Sequence, residues 1–171
     1  EQFKDADVCY AISTPLTIGI AAIWIKTRYK IPYYFEVGDL WPEAPVQMGI
    51  IRNPLLKAIL YKLEKSIYKR SKAIVALSEA IETEIQKKVR EKEIHVIPNM
   101  ADTDFYKPEP KQPELEAKFG VQNKFVVSYI GTIGLANGLE YLIDCADASH
   151  QTKLSLHFLI CGEGAELDKL K

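Results

Sequence analysis

Short apolar runs alternate along the chain with longer segments in which apolar residues recur every three or four positions. Apolar runs of about four to eight residues bounded by turn residues are typical of buried strands, and the longer spacing is typical of amphipathic helices. Because helices are predicted between successive strands, the order favours an α/β fold with parallel strands and right-handed crossovers, divided into two units. The six predicted strands are Val8–Ile12, Ile31–Val37, Ala73–Leu77, Ile94–Ile97, Phe125–Ile130 and Leu154–Cys161.

Capping residues predict where three of the helices begin. Ser13-Thr14-Pro15 predicts a helix that runs to about Arg28, and Ser78 predicts one with acidic residues in its first turns. Asn53-Pro54 predicts a helix that runs to about Arg70. This third helix has apolar residues at helical spacing, which predicts one buried stripe consisting of Leu56, Ile59, Leu60, Leu63 and Ile67.

Two glycine-rich turns each join a predicted strand to a predicted helix. The first has the pattern Gly131-x-x-Gly134-x-x-x-Gly138, and the second is Gly162-Glu163-Gly164. A helix N-terminus offers free N–H groups and the positive end of the helix dipole, and glycines let a phosphate approach the backbone closely. The first turn therefore predicts a site for the phosphates of a nucleotide or a nucleotide-sugar, and the two turns can line one crevice. Neither the G-x-G-x-x-G dinucleotide pattern nor the Walker pattern is present.

A second candidate site is the segment Gly38–Pro45, which follows the second predicted strand. One glycine and two prolines in eight residues predict a loop, and ligands of open α/β sheets bind at the carboxyl ends of strands. Two carboxylates, Asp39 and Glu43, flank Trp41 in this loop. These residues either face a ligand, or the tryptophan packs the loop onto the body of the domain and the acids are solvated.

The sequence pattern differs around residues 101–120, where the periodicity of apolar residues is weak and prolines are frequent. Such a segment is typical of a crossing between domains. We therefore place the boundary near residue 110, which gives one domain over residues 1–110 and a second over residues 111–171. The prolines are Pro98, Pro108, Pro110 and Pro113.

Composition excludes several classes of protein. The 171 residues carry a formal net charge of −1, which gives no overall attraction to nucleic acid. Cys9, Cys145 and Cys161 are odd in number and lie in apolar segments, so we expect free thiols and a reducing, cytoplasmic setting. The longest apolar run, residues 16–25, is about half of what a membrane-spanning helix needs.

A local excess of positive charge stands out against this balance. Seven basic residues lie between Arg52 and Lys72, and the one acid among them is Glu64. The basic amphipathic helix predicted over residues 53–70 allows two interpretations. Its polar face is either exposed to solvent, or it contacts an anionic membrane surface at the inner face of the membrane. The seven are Arg52, Lys57, Lys62, Lys65, Lys69, Arg70 and Lys72.

No motif for nucleophilic catalysis or metal binding accompanies these features. The nucleophile elbow Gly-x-Ser-x-Gly and the pair His-x-x-x-His do not occur. We interpret the three histidines, His95, His150 and His157, as structural or surface residues rather than as bases or ligands.

The order of the turns resembles a known family. Asp39-Leu40-Trp41-Pro42-Glu43, then Pro98-Asn99, then the Gly131 turn and finally Cys161-Gly162-Glu163-Gly164 resemble the retaining GT-B glycosyltransferases of the large "group 1" family. Asp-Leu-Trp-Pro-Glu and Gly-x-Ile-Gly-x-x-x-Gly-Leu-Glu are most similar to the bacterial branch that transfers amino-deoxy sugars in O-antigen and capsule synthesis.

This resemblance implies two Rossmann-like domains, with the acceptor on the first and the nucleotide-sugar on the second. It places Asp39, Trp41 and Glu43 on the acceptor side and Asn99 at the hinge. It implies no bound metal or other cofactor, and the family's catalytic residues are expected outside this chain. Many members have Arg and Lys in the first glycine turn where this chain has Thr132 and Asn137. Donor contacts are implied for Gly131, Thr132, Gly134, Asn137, Gly138, Gly162, Glu163 and Gly164.

The leading hypothesis is a fragment of a glycosyltransferase that moves a sugar from a nucleotide-sugar to a lipid-linked glycan acceptor with retention. We expect a piece of a longer protein because the sequence begins without Met and ends one turn into a helix. Two alternatives are a GT-B nucleotide-sugar epimerase and a non-catalytic module that binds nucleotide or partners. The half-domain after residue 120 cannot cover both faces of its sheet, so we expect the isolated chain either to self-associate or to have a poorly formed C-terminal unit. We also expect no turnover by the isolated chain, because the catalytic residues are expected outside it.

Overall fold

The first unit, Glu1–Ala101, is built on a sheet of four parallel strands. The structure, a computed structural model, describes residues 5–170. The strands lie side by side in the order β1-β2-β3-β4, with Ala11 beside Phe35, Phe35 beside Ile74 and Ile74 beside Ile94. Their bounds are β1 Cys9–Ser13, β2 Tyr33–Val37, β3 Ile74–Ala76 and β4 Ile94–Val96.

Helices of this unit pack against the sheet, and its four strands lie in chain order, an arrangement in which right-handed crossovers place successive helices on the same side. Alternate residues of β2 reflect that arrangement. Tyr33, Phe35 and Val37 are buried, whereas Tyr34 and Glu36 between them are half-buried. The helices of this unit are α1 Ile18–Tyr29, α2 Glu43–Gln47, α3 Pro54–Arg70 and α4 Glu79–Lys88.

The core of the first unit lies between β2 and α3. The Tyr33 hydroxyl donates a 2.7 Å hydrogen bond to the Ile67 carbonyl, so this buried polar group is satisfied. The rings of Phe35 and Tyr68 lie 6.1 Å apart in a tilted arrangement. Burial raises the pKa of both tyrosines, which keeps these hydroxyls neutral.

The second unit, Asp102–Lys171, holds the parallel pair of strands β5 Phe125–Ile130 and β6 Leu156–Cys161. Their register places Phe125 beside Leu156 and Ile130 beside Cys161. A single 3₁₀ turn, Leu135–Asn137, lies between β5 and the helix that follows it. The helices are α5 Pro113–Lys118, α6 Leu139–Gln151 and α7 Leu167–Leu170.

The structure confirms the predicted α/β fold with parallel strands and two of the predicted helix caps. The Asn53 side chain accepts hydrogen bonds from the amides of Leu55 and Leu56, at 2.9 and 3.2 Å. The Ser78 hydroxyl accepts from the amide of Ile81 at 3.3 Å. Both bonds satisfy amides that the first turn of a helix leaves free, which is why these local signals are reliable.

The predicted helix start at Ser13-Thr14-Pro15 is wrong. Helix α1 begins at Ile18, and its N-cap, Thr17, makes no side-chain capping bond. The two hydroxyls predicted to cap it bind the next loop instead: Ser13 Oγ accepts from the Gly38 amide at 3.3 Å, and Thr14 Oγ1 donates to Asp39 Oδ2 at 3.4 Å. Hydrogen bonds to a loop distant in sequence therefore replace the predicted local capping bonds.

Two other predictions on this unit also need correction. The segment predicted as a loop up to Pro45 contains the start of helix α2, whose turns are closed by Ala44 N donating to Leu40 O at 2.8 Å. The predicted buried stripe of α3 holds only in its second half, where Ile67 is buried and Leu60 and Leu63 pack against the core. Leu56 and Ile59, in the first half, are exposed.

Three further observations concern features predicted from sequence. The two units divide at Ala101, whereas the sequence places the domain boundary near residue 110. Cys9, Cys145 and Cys161 carry free thiols and are half-buried. Over residues 5–170, no helix is both long enough and apolar enough to span a bilayer.

Candidate functional site

The two glycine turns of the second unit are joined backbone to backbone. The Gly131 amide donates to the Cys161 carbonyl at 3.0 Å, which extends the pairing of β5 with β6 by one residue. Beyond it the Ile133 amide donates to the Glu163 carbonyl at 2.9 Å, and the Glu166 amide donates to the Ile133 carbonyl at 3.1 Å. The two turns are therefore joined by backbone hydrogen bonds at the carboxyl ends of both strands.

Close approach of the two backbones explains the glycines of the second turn. A Cβ on Gly162 would lie 1.9 Å from the Gly131 carbonyl oxygen, and a Cβ on Gly164 would lie 2.1 Å from the Ile133 carbonyl oxygen. Gly164 also has a φ of +157°. Only glycine fits positions where backbone meets backbone at these distances.

The N-cap of helix α6 is Gly138, whose φ of +58° lies in the left-handed region. A glycine at this N-cap brings no side chain to the first amides of the helix, and no described side chain caps them. The Tyr141 amide donates to the Gly138 carbonyl at 3.1 Å, which tightens the first turn. The result is a 13-residue helix whose positive end has no side-chain cap and whose first turn carries one acid, Glu140.

Thr132 and Asn137 are both exposed on the first turn. The Tyr129 hydroxyl donates to the Thr132 carbonyl at 2.7 Å, and the Asn137 amide donates to the Gly134 carbonyl at 2.9 Å. These bonds fix the backbone while both side chains stay available as neutral donors. The turn itself thus contributes dipoles rather than a full positive charge.

Lys169 is a residue of this region that sequence reasoning missed. Its ammonium group makes an ion pair with Glu140, in the first turn of α6, and lies 3.5 Å from Glu166 Oε2. The hydrogen bond to Glu140 raises the pKa of Lys169, so the side chain stays charged. No local pattern points to this contact, because the two partners are far apart in sequence.

In the first unit, the loop after β2 is held by its neighbours. Trp41 is half-buried and packs against the hydrophobic core. Asp39 is exposed and is contacted by Thr14 from the loop after β1. Asn99, which follows β4, is also exposed.

Glu43 is not a free solvated acid. Its Oε2 accepts a 2.7 Å hydrogen bond from the Tyr61 hydroxyl of α3, and its Oε1 accepts a 2.9 Å bond from Gln47 Nε2. The bond from Tyr61 lowers the pKa of Glu43, and burial together with the same bond raises the pKa of Tyr61 to about 12. The pair therefore holds one ionised carboxylate and one neutral phenol across the whole physiological range.

A buried ion pair between α3 and α4 lies next to this network. Lys88 Nζ lies 2.7 Å from Glu64 Oε1, and the Glu64 side chain is only 1% exposed. Lys88 also lies over the ring of Tyr61, 5.5 Å from its centroid. Burial raises the pKa of Glu64 despite the lysine, so desolvation outweighs their attraction.

The sequence-predicted residues thus fall into two groups. Asp39, Trp41, Glu43 and Asn99 belong to the first unit, and the eight residues of the glycine turns belong to the second. In the part of the chain that the structure describes, no cluster of three or more His, Cys, Asp or Glu side chains is placed to hold a metal ion.

The described residues have an α/β fold with parallel strands that is similar to solved structures of GT-B glycosyltransferases. The crystal structure of TarM superposes with a TM-score of 0.60 at 16% identity, covering 95% of this chain and 29% of TarM. A mutant of S. aureus TarM, in complex with Fondaparinux, alpha-GlcNAc-glycerol and UDP, gives a TM-score of 0.55 at 16% identity, covering 86% of this chain and 27% of that one.

Sequence comparison defines the family. The chain belongs to Glycosyltransferase Family 4, whose sequence profile matches residues 2–105. Alpha-D-kanosaminyltransferase of Streptomyces kanamyceticus is 25% identical over 114 residues, which cover 63% of this chain and 30% of that enzyme. The chain therefore spans less than a third of the length of the relatives that it matches.

Proposed function

We propose that this chain is part of a glycosyltransferase and that its second unit binds the diphosphate of a nucleotide-sugar donor. The observation that carries the proposal is the joined pair of glycine turns beside the uncapped N-terminus of α6, in a chain of Glycosyltransferase Family 4. Backbone amides aimed outward at a helix N-terminus are suited to phosphate oxygens. The donor-binding residues proposed are those predicted from sequence in the two turns.

The names of the relatives support this class of substrate. One relative is named as a kanosaminyltransferase, and the TarM complex holds UDP together with alpha-GlcNAc-glycerol and Fondaparinux. By analogy we assign a nucleotide-sugar donor and a glycan acceptor to the protein that contains this chain. Asp39, Trp41 and Glu43 are assigned to the acceptor side and Asn99 to the hinge.

The chemical task of the second unit is to stabilise the departing diphosphate. Negative charge develops on that group as the glycosidic bond breaks, and preorganised dipoles stabilise developing charge without reorganising. Because Thr132 and Asn137 are neutral, and Lys169 is paired with Glu140 and Glu166, the backbone amides and the α6 dipole supply most of this effect.

The finer features of the proposal rest on the resemblance to the group 1 enzymes. They are retention of configuration, independence from a metal ion, a lipid-linked acceptor, and a role in O-antigen or capsule synthesis at the cytoplasmic face of the membrane. No residue of this chain is assigned as the catalytic acid, base or nucleophile.

Gly134→Val tests the donor site with little disturbance of the fold. Gly134 has an extended backbone, with φ −128° and ψ 163°, which valine adopts readily, and its nearest neighbour is the flexible Asn137 amide at 3.3 Å from an added Cβ. The added methyl groups would crowd a phosphate at the turn. We expect nucleotide-sugar binding to the full-length protein, measured by calorimetry, to weaken roughly tenfold or more.

Ala148→Val is the matched control, because Ala148 is exposed near the other end of the same helix. It should leave nucleotide-sugar affinity unchanged. Unchanged affinity in Gly134→Val, with an unchanged circular dichroism spectrum, would refute the role of the turn.

A further inference from the structure

Helix α3 presents a continuous outward stripe that is apolar at one end and basic at the other. Leu55, Ile59, Lys62, Lys65 and Lys69 follow one another at spacings of three or four residues, so they share one face of the helix. Leu55 is 69% exposed and Ile59 is 55% exposed, and the three lysines are exposed as well. The opposite face, with Glu64, Ile67 and Tyr68, is buried.

This stripe has no negative charge of its own. Glu64 is the one acid of α3, and it points inward to its ion pair with Lys88. Among the residues that the structure describes, no carboxylate lies within ion-pair distance of Lys62, Lys65 or Lys69. The three ammonium groups therefore make no ion pair with a described carboxylate.

The positive surface continues beyond the helix. Lys65 and Lys69 line a groove of about 410 Å³ whose other charged lining residues are Lys88, Arg90 and Lys92 and one acid, Glu91, so the groove keeps an excess of positive charge. At the end of α3, Lys26 Nζ donates to the Arg70 carbonyl at 2.5 Å and Lys92 Nζ donates to the Ser71 carbonyl at 2.6 Å. Burial, together with the charge of Lys26, lowers the pKa of Lys92.

We propose that this face docks onto a bilayer that contains anionic lipids. The docking surface, called here the α3 surface, consists of Leu55, Ile59, Lys62, Lys65, Lys69 and Arg90. Charge complementarity attracts the lysines and Arg90 to acidic headgroups, and Leu55 and Ile59 enter the boundary between headgroups and acyl chains. The proposal does not depend on the donor site, since it involves the first unit alone.

The exposed apolar residues favour a lipid surface over nucleic acid. Nucleic acid binding relies on phosphate contacts from Lys and Arg, with aromatic or polar side chains for the bases. Leu55 and Ile59 offer neither, whereas aliphatic side chains in line with lysines are typical of helices that lie at a membrane interface. Lysine stems also bury their methylenes while the ammonium group stays in water.

Vesicle co-sedimentation of the full chain tests the proposal. The probes are vesicles of phosphatidylcholine alone and vesicles of phosphatidylcholine mixed with phosphatidylglycerol. We expect binding only to the anionic vesicles, and release of the protein as salt is raised. Combining Lys62→Gln, Lys65→Gln and Lys69→Gln should lower the partition coefficient roughly a hundredfold, since each basic residue near such a surface contributes about fivefold.

The matched control removes the same charge from the second unit, with Lys107→Gln, Lys111→Gln and Lys118→Gln combined. It should retain most of the vesicle binding. Equal sedimentation with both kinds of vesicle, or an equal loss in the two triple variants, would overturn the proposal. Tighter binding to duplex DNA than to anionic vesicles, measured by fluorescence anisotropy at the same salt concentration, would overturn it in favour of nucleic acid.

Ile59→Ser separates the apolar part of the α3 surface from its charge. It should weaken vesicle binding at a salt concentration where the wild type still binds, because the apolar contribution is not screened. Since Ile59 is exposed, this variant is expected to fold normally, which circular dichroism checks. Wild-type affinity of Ile59→Ser would show that the residue does not enter the bilayer and would contradict the proposed docking mode.

Discussion

The amide of Ile133 donates a 2.9 Å hydrogen bond to the carbonyl of Glu163, and this bond ties together two turns that are 30 residues apart in sequence. Each turn by itself is a weak signal, because a strand, a glycine and a helix occur in many proteins. Joined by backbone bonds, the turns become one surface whose shape depends on both. A substitution that forces the two backbones apart is therefore expected to disturb both turns.

Gly162→Ala should destabilise the second unit by at least about 2 kcal/mol. The added Cβ would meet the Gly131 carbonyl at 1.9 Å, and two backbones can separate only by breaking the bonds between the turns. Gly134→Ala is the control and should cost less than about 1 kcal/mol, since its backbone is extended and its neighbour is flexible. Urea unfolding followed by circular dichroism measures both; equal stability of the two variants would contradict the packing described.

Tyr61→Phe should reduce stability by about 0.5–1 kcal/mol at neutral pH, because the half-exposed Glu43 loses its donor. The folded-state pKa of Glu43 is lowered, so its contribution is present above the unfolded-state pKa and is lost as pH falls through the folded-state value. The difference between wild type and variant should therefore shrink below about pH 4. Tyr106→Phe, at an exposed ring, should show no such pH dependence; a constant difference for Tyr61→Phe would count against the bond.

Lys88→Met should lower the free energy of unfolding more than Glu64→Leu. Removing the lysine leaves a carboxylate that is 1% exposed without a counter-charge, at a cost of about 3 kcal/mol, whereas a lysine that is 23% exposed can turn to solvent. Since burial raises the folded-state pKa of Glu64, its favourable contribution is fully present below the unfolded-state pKa and is lost as pH rises. The Lys88→Met defect should accordingly lessen in acid.

The double variant, Glu64→Leu with Lys88→Met, completes the cycle. It should approach or exceed wild-type stability, because a packed apolar pair avoids the desolvation cost that the attraction between the two charges does not offset. Additive losses in denaturant titrations of the two single variants and the double variant would show that the pair is not coupled.

Light scattering of the 171-residue chain should detect species larger than the 19.4 kDa monomer. Strand β1 exposes Tyr10 and Ile12, and β5 exposes Phe125 and Ile130, so apolar side chains are uncovered in both units. Combining Ile12→Lys and Ile130→Lys should shift the population toward monomer. A monodisperse wild-type monomer at high concentration would be inconsistent with this expectation.

Local patterns in the sequence determined the elements of the fold. Apolar runs and helical periodicity located every strand that the structure describes, and Asn53 and Ser78 marked their helices because a cap acts on amides two or three residues away. The glycine turns were visible for the same reason, since strand, glycine and helix are contiguous in the chain.

Tertiary structure decided which side chains meet. Ser13 and Thr14 bind the loop after β2 instead of capping α1, and Trp41 packs on the core. Glu43 meets Tyr61 across 18 residues, and Glu64 turns inward to Lys88, which leaves the outward face of α3 basic. Periodicity gives the direction of a side chain relative to its own helix, but the partner depends on how helices and loops pack, and that information is spread over the whole chain.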